Sequence, residues 1–343
     1  MAEGRTEGIP VVGAGSVGLV LAARLARAGR AVRLHVRRHD DARALRTEGI
    51  RVEDPATGRA WRARVDAAEG PPAGAEGAVF LCVRGPDTES AASALAAASP
   101  RALPVNVQNG VDGDAVVAHH FERVVGAVWR LPCTRVAVGR VRTLPGGRIV
   151  LGLHPEGVDA DVEVLAVLLR TAGFDVGLSS RIGEDRWLKL CLNLTSAPNA
   201  LVRQAEHATA TFVETKARLL EEARAVLAAS AIPARSADGR DRSLEAEIAW
   251  QRGALARGDA ARPIPLYNSV WQGLASGAPL ECDAYHRTIV SLGRRHGVPT
   301  PVNARVLALL EDARDRRLGP ESFGADALAP SGPGSSGSGA PDQ

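Results

Sequence analysis

The chain has 343 residues, 45% hydrophobic and 24% charged, with a formal net charge of +3 at pH 7. That length predicts two domains, and the balance is that of a globular protein, not a disordered or fibrous one. The small net charge, with no arginine stripe interleaved with aromatics, argues against nucleic acid as a partner. No apolar run approaches the ~20 residues needed to cross a bilayer, so no membrane partner is expected. The start MAEGRTEG lacks the layout of a signal peptide, so a cytoplasmic location is expected. Cys82, Cys133, Cys191 and Cys282 are far apart, with no Cys-x-x-Cys spacing. They read as buried free thiols and not as zinc ligands or disulfides, and no metal site is expected.

In chain order, residues 9–13 read as a buried strand, 16–28 as a helix closed by Gly29, and 31–36 as a second strand, which is a βαβ unit. Pro10 cannot donate to a central ladder, which places it at the first residues of its strand. A hairpin is expected over 50–65, and the apolar run AVFLCV at 78–83 suits a parallel strand covered on both faces. An Ala-rich helix and a strand at 104–108 follow. Further strands are expected over 123–152, then a helix near 161–172 and a strand near 174–178. Beyond about residue 180 the periodicity is helical, over 184–197, 208–230, 241–258, 265–276 and 280–296. From Gly319 the chain is rich in Gly, Ser, Pro and Ala, and disorder is expected.

Gly13-Ala14-Gly15-Ser16-Val17-Gly18 matches G-x-G-x-x-G between an apolar run and an amphipathic helix. In such a turn the first glycine allows the bend and the second lets the backbone approach a pyrophosphate. The third lets helix and strand pack closely. A plain Gly-rich turn is the alternative. At the end of the second strand an NAD enzyme usually carries Asp or Glu, whereas here stand Arg37 and Arg38. A guanidinium can grip a 2′-phosphate with paired hydrogen bonds, so NADP(H) is favoured over NAD(H). Two surface arginines are the bland alternative.

Lys189 and Lys216 are the only lysines in a chain whose positive charge is otherwise arginine. Lys189, Asn193 and Ser196 stand at i, i+4 and i+7 of an otherwise apolar segment, forming one polar stripe. Lysine can lose and regain a proton where arginine effectively cannot, so Lys189 points to proton transfer. The alternative is a lysine snorkelling from a half-exposed helix. Lys216, in a Glu-rich segment, reads as solvated.

With these features the sequence resembles the ketopantoate reductases (2-dehydropantoate 2-reductases) up to about residue 312. The resemblance rests on GAGSVG at 13–18, Arg37, Gln108-Asn109-Gly110, the Lys189-x-x-x-Asn193 pair, Ser269, and Glu281 before HGVPTPVN at 296–303. It implies an α/β N-terminal Rossmann-type domain and an all-α C-terminal domain, a 6-phosphogluconate-dehydrogenase-like architecture. The expected boundaries are 1–180, 181–318 and a disordered tail over 319–343. The implied reaction is NADPH-dependent reduction of a 2-keto acid to a 2-hydroxy acid, as of ketopantoate to pantoate in pantothenate biosynthesis, with Lys189 as general acid. The implied partner is that small molecule, and the helical domain is a candidate surface for a homodimer. The family's match to Asn109 holds nicotinamide and substrate. Those to Asn193 and Ser269 bind polar groups of the substrate, and that to Glu281 binds its hydroxyl near the lysine. Taken singly, Asn109-Gly110 is also a common turn pair, Ser269 an ordinary helix residue, and Glu281 a carboxylate near a helix start.

Several positions depart from the family. Arg84 stands where a lysine is usual; it can contact cofactor phosphate but not donate a proton. Ala197 replaces a second Asn, and His286-Arg287 replaces Asn-Gly. Asp283, Tyr285 and His286 are expected to add bulk and polarity near the pocket. Trp129-Arg130-Leu131-Pro132-Cys133-Thr134 is unlike the family's small-residue run. Two alternatives therefore remain: a related dehydrogenase or imine reductase with another substrate, and a non-catalytic NADP(H) sensor, against which the Lys189–Asn193 pair argues.

Overall fold

The computed structural model describes residues 8–258, 268–277, 280 and 282–330, with the backbone alone at 282 and 283. The chain divides into two compact units. Among the described residues the first comprises 8–190, Ile232–Ser243 and 268–269, and the second comprises Cys191–Ala231, 244–258, 270–277, 280 and 282–330.

The first unit opens with β1 (Ile9–Val12), α1 (Ser16–Arg27) and β2 (Val32–Val36), as the sequence predicts. It continues with α2 (His39–Glu48), β3 (Ile50–Glu53), β4 (Ala60–Ala63), β5 (Asp66–Glu69), β6 (Ala78–Leu81), α3 (Thr88–Ala98), β7 (Leu103–Asn106) and α4 (Gly113–Ala118). After these come β8 (Val124–Arg130), β9 (Cys133–Ala137), β10 (Arg140–Thr143), β11 (Arg148–His154), α5 (Ala160–Thr171), β12 (Asp175–Leu178) and most of α6 (Ile182–Asn193). The elements beyond expectation are α2, β5 and α4. Helix α2 buries only Ala42 and Leu45, too little apolar pattern to mark it in sequence.

Eight strands form one sheet in the order β12-β11-β8-β7-β6-β1-β2-β5. The six from β5 to β8 are parallel, and β11 runs antiparallel to β8. Within those six the order is the doubly wound 3-2-1-4-5-6, whose switch point lies between β1 and β6. Pro10 is accommodated because β1 pairs with β6 only from Val11 onward, while Ile9 N–H donates to Ala31 O on the β2 side. A smaller sheet, β4-β3-β10-β9, is made by the two hairpins and packs its Ile50, Val52 and Val141 into the core that also holds Leu21 and Leu25 of α1. On the α6 side of the large sheet Ile182 packs on Val128 and Val150. Residues Ile232–Ser243 join this unit through ion pairs from Arg148 to Asp238 and from Arg130 to Asp241. A Cβ at Gly177 would stand 2.8 Å from the Asp238 carboxylate, so glycine leaves the room that pair occupies.

The described part of the second unit is helical: α7 (Ser196–Leu201), α8 (Ala210–Ala229), α9 (Leu244–Arg252), α10 (Ser269–Ser276), α11 (Cys282–His296) and α12 (Pro301–Asp315), with Ser269 itself grouped in the first unit. Helix α8 packs Ala217 and Leu220 on Ile248 of α9, and Arg252 pairs with both Glu214 and Glu221. Helix α12 starts at Pro301, whose missing N–H costs nothing in a first turn.

Two expectations change. The helix over 184–197 is two helices: α6 ends at Asn193, Leu194 N–H closes on Cys191 O, and α7 restarts at Ser196. Pro198 explains the break, because a proline inside a continuous helix would clash with the carbonyl four residues back, whereas in a first turn it is tolerated. Residues 319–330, expected to be disordered, carry a short 3-10 turn over Ala325–Leu328 with Leu328 fully buried. Phe323 bridges to Val202, and Ala325 N–H donates to Glu206 at 2.6 Å. Residues 331–343 lie outside the described residues.

Candidate functional site at the strand ends of the first unit

The C-terminal ends of parallel strands collect the polar positions of the first unit. Gly13 follows β1, Arg37 follows β2, Arg84 follows β6, Asn109 follows β7, and Trp129 is the penultimate residue of β8. In open α/β sheets ligands bind outside these ends, at the switch point.

The three glycines of the first turn differ in what the protein asks of them. Gly13 has φ +101°, and a Cβ there would stand 2.8 Å from Cys82 O. At Gly18 it would lie 2.0 Å from Gly13 O, so α1 could not sit this close to its strand with any other residue. At Gly15 the nearest atom would be Cys82 O at 3.8 Å. Nothing in the chain demands glycine at 15; the space faces outward, as an approaching pyrophosphate requires. No side chain caps the N-terminus of α1, and the Ser16 hydroxyl accepts the Arg135 N–H at 2.9 Å. A bare helix N-terminus with its free N–H groups and dipole suits an anion. The turn, with Ala14 and Val17 half-buried beneath it, therefore fits a dinucleotide phosphate.

Arg37 and Arg84 are both exposed and both approach Asp87, at 3.3 and 3.6 Å. The Arg37 side chain is 81% exposed, so its pairing with Asp87 contributes little and leaves the guanidinium fork accessible. Burial pushes the Cys133 and Cys191 thiols up to about 12 and Cys82 higher still, so these cysteines rest as thiols and not thiolates at neutral pH. Among the described residues no group of three or more His, Cys, Asp or Glu is arranged to hold a metal, and no helix is long and apolar enough to cross a membrane.

Lys189 stands on α6 with its ammonium donating to Asn109 Oδ1 at 2.6 Å and to the Trp129 carbonyl oxygen. The bulk of Trp129 points elsewhere: its indole N–H donates to Leu131 O, and its ring meets Phe174 edge-on at 5.4 Å. The departure at 129–134 is thus a packing matter, while the backbone oxygen serves the lysine. An ammonium held by oriented acceptors can donate a proton and stabilise a developing oxyanion.

One turn before Lys189, Arg186 is buried and chelates Asp114, with Nη2 to Oδ1 at 2.6 Å. It also donates to Gln108 O at 2.7 Å and Asn106 O at 2.9 Å, and Asn106 Nδ2 donates to Asp114 at 2.7 Å. Sequence reasoning missed Arg186, Asp114 and the Trp129 carbonyl. An arginine three residues before the lysine on an apolar helix was the available signal.

The other expected residues lie further along the chain. Asn193 is the last residue of α6, one turn beyond Lys189 and half-buried; Ser269 opens α10 and is exposed; Glu281 lies outside the described residues. Asp283 is described by its backbone alone. His286, expected to add polarity near a pocket, is fully buried: its Nδ1 pairs with Asn303 Oδ1 at 2.9 Å. Asn303 donates in turn to Glu222 at 2.8 Å, and Glu222 accepts the Val302 and Asn303 backbone N–H groups that open α12. Tyr285 is buried, and Arg287 reaches Glu311 of α12 at 2.9 Å. Lys216, expected to be solvated, is half-buried 5.4 Å from the centre of the Phe212 ring, and burial pulls it down to about 8.

A doubly wound sheet with a glycine turn at its switch point defines the class: a Rossmann-type dinucleotide-binding fold joined to a helical unit. The sequence model of the family described as ketopantoate reductase PanE/ApbA matches residues 9–156, and that of its C-terminal part matches 181–314. A 2-dehydropantoate 2-reductase from Caulobacter vibrioides is 31% identical over 89% of this chain and 98% of its own. The PanE/ApbA family ketopantoate reductase from Ralstonia eutropha JMP134 superposes with a TM-score of 0.73 at 27% identity, covering 90% of this chain and 99% of that one. D-mandelate dehydrogenase, solved with NADH and anilino(oxo)acetate, shares the fold at a TM-score of 0.73 and 19% identity, covering 90% and 99%. The chain belongs to the ketopantoate reductase family and is an oxidoreductase of that kind.

Proposed function

We propose that the protein reduces a 2-keto acid to a 2-hydroxy acid with NADPH, ketopantoate being the first substrate to test. The observation that carries this is the Lys189 ammonium held 2.6 Å from Asn109 Oδ1 at the ends of β7 and β8, on the same sheet edge as the glycine turn. Gly13, Gly15 and the N-terminus of α1 hold the cofactor pyrophosphate; Arg37, with Arg84 nearby, holds the 2′-phosphate. A bound reduced nicotinamide supplies the hydride. Lys189 polarises the ketone oxygen before transfer and delivers a proton to it as charge develops. Asn109 orients the ammonium, and Asn193, Ser269 and Glu281 hold the substrate's polar groups.

A second reading, reduction of a different 2-keto acid, draws support from Ala197, whose methyl offers no hydrogen bond where the family has Asn. His286 Nδ1 is taken by Asn303 in the α11–α12 packing.

The test is NADPH oxidation with ketopantoate and a panel of other 2-keto acids, on wild type, Lys189→Ala and Arg37→Ala. Lys189→Ala should lose about 10²–10⁴-fold in kcat with cofactor still bound. Arg37→Ala should weaken NADPH binding about tenfold or more and leave NADH unchanged. Turnover of other acids but not ketopantoate selects the second reading. NADPH binding with no turnover of any acid sinks both.

A further inference from the structure

We propose that Arg186 and Asp114 form a positioning pair that sets the Lys189 ammonium against Asn109, an inference resting on Lys189 as proton donor. The two side chains are 3% and 2% exposed, so both charges are withdrawn from water. A buried ion pair is weak evidence of a stabilising role, since apolar pairs of similar volume often serve a fold equally well. What an apolar pair cannot do is read peptide oxygens.

Arg186 does so twice: its fork takes Asn106 O and Gln108 O while keeping the Asp114 carboxylate. Those carbonyls bracket Val107, and the residue after Gln108 is Asn109, the partner of Lys189. Helix α6 and the loop after β7 are therefore joined at two points one helical turn apart, first through Arg186 and then through Lys189.

The surroundings are shaped to this pair. A Cβ at Gly126 would stand 2.7 Å from Asp114 Oδ2, and one at Gly113 would stand 2.9 Å from Asn106 Nδ2. The Thr88 hydroxyl donates to Gln108 Oε1 at 2.5 Å, holding that side chain in turn. Lysine at 186 could not replace the fork, because a point charge reaches the carboxylate or a carbonyl but not all three acceptors at once.

The decisive variant is Arg186→Met with Asp114→Leu, which removes both buried charges together and leaves neither uncompensated. Its kcat with the preferred keto acid should fall by about 10²-fold, the loss typical of a small misplacement, while the KM for that acid and the NADPH Kd change little. A second readout needs no turnover. In ε-¹⁵N-lysine-labelled protein the chain gives two side-chain signals, Lys189 and Lys216, and Asn109→Ala assigns the first. The Lys189 ammonium signal should be lost to solvent exchange in the double variant while that of Lys216 persists. Wild-type kcat and an intact Lys189 signal in a folded double variant would overturn the proposal. Should the double variant not fold, Arg186→Lys decides the matter by the same two readouts, its added lysine signal being identified by comparison with wild type. Should wild type turn over no keto acid, the functional reading fails, yet the Lys189 signal still judges the positioning.

Discussion

In the first unit a buried guanidinium, a carboxylate and two amides converge and leave off at a half-buried lysine. In the second, His286, Asn303 and Glu222 close on the N-terminus of their own helix. Both networks pair buried polar groups that would be costly if left alone, though Gln108 Nε2 and His286 Nε2 are buried without a hydrogen bond. One ends on a group able to exchange a proton; the other ends on backbone N–H groups that any capped helix has to satisfy. A buried polar cluster is thus not in itself a functional site, and what terminates it tells the two kinds apart.

Three substitutions sharpen that contrast. Gly18→Ala should have the largest effect, because its Cβ would lie 2.0 Å from Gly13 O and α1 must move off β1. Loss of NADPH binding, read by fluorescence titration, is the expected result; retained affinity would show that the turn does not hold phosphate. Glu222→Ala removes the acceptor of three hydrogen bonds in the second unit and should cost about 3 kcal/mol in denaturant unfolding. The folded fraction should keep its kcat; a kcat that fell with stability would erase the distinction between the networks. His286→Asn should change neutral-pH stability by about 1 kcal/mol. Burial first, against the Asn303 hydrogen bond, lowers His286 from 6.5 to about 4. With the folded pKa below the unfolded one, its contribution is present above about 6.5 and lost as pH falls toward about 4. The melting temperature of wild type should therefore drop across that window more steeply than that of His286→Asn; parallel curves would refute the assignment.

What could be read in the sequence was whatever is local. The glycine turn announces itself within six letters, and Lys189 stands out because the chain is otherwise arginine. Arg186 and Asp114 meet across 72 residues, and the Trp129 oxygen is backbone, which no side-chain letter encodes. His286 pairs with Asn303 across 17 residues, a contact that no local pattern encodes. The stretch 319–330 looked disordered by composition, yet Leu328 in the core and Phe323 paired to Val202 suffice to order it.

The scarcity of lysine has a chemical consequence of its own. Both lysines are half-buried, so the described surface carries its positive charge as guanidinium and presents no fully solvated lysine amine. Ketones and aldehydes condense with primary amines, not readily with guanidinium. Amine-directed coupling reagents applied to the folded protein will therefore find few side chains to modify.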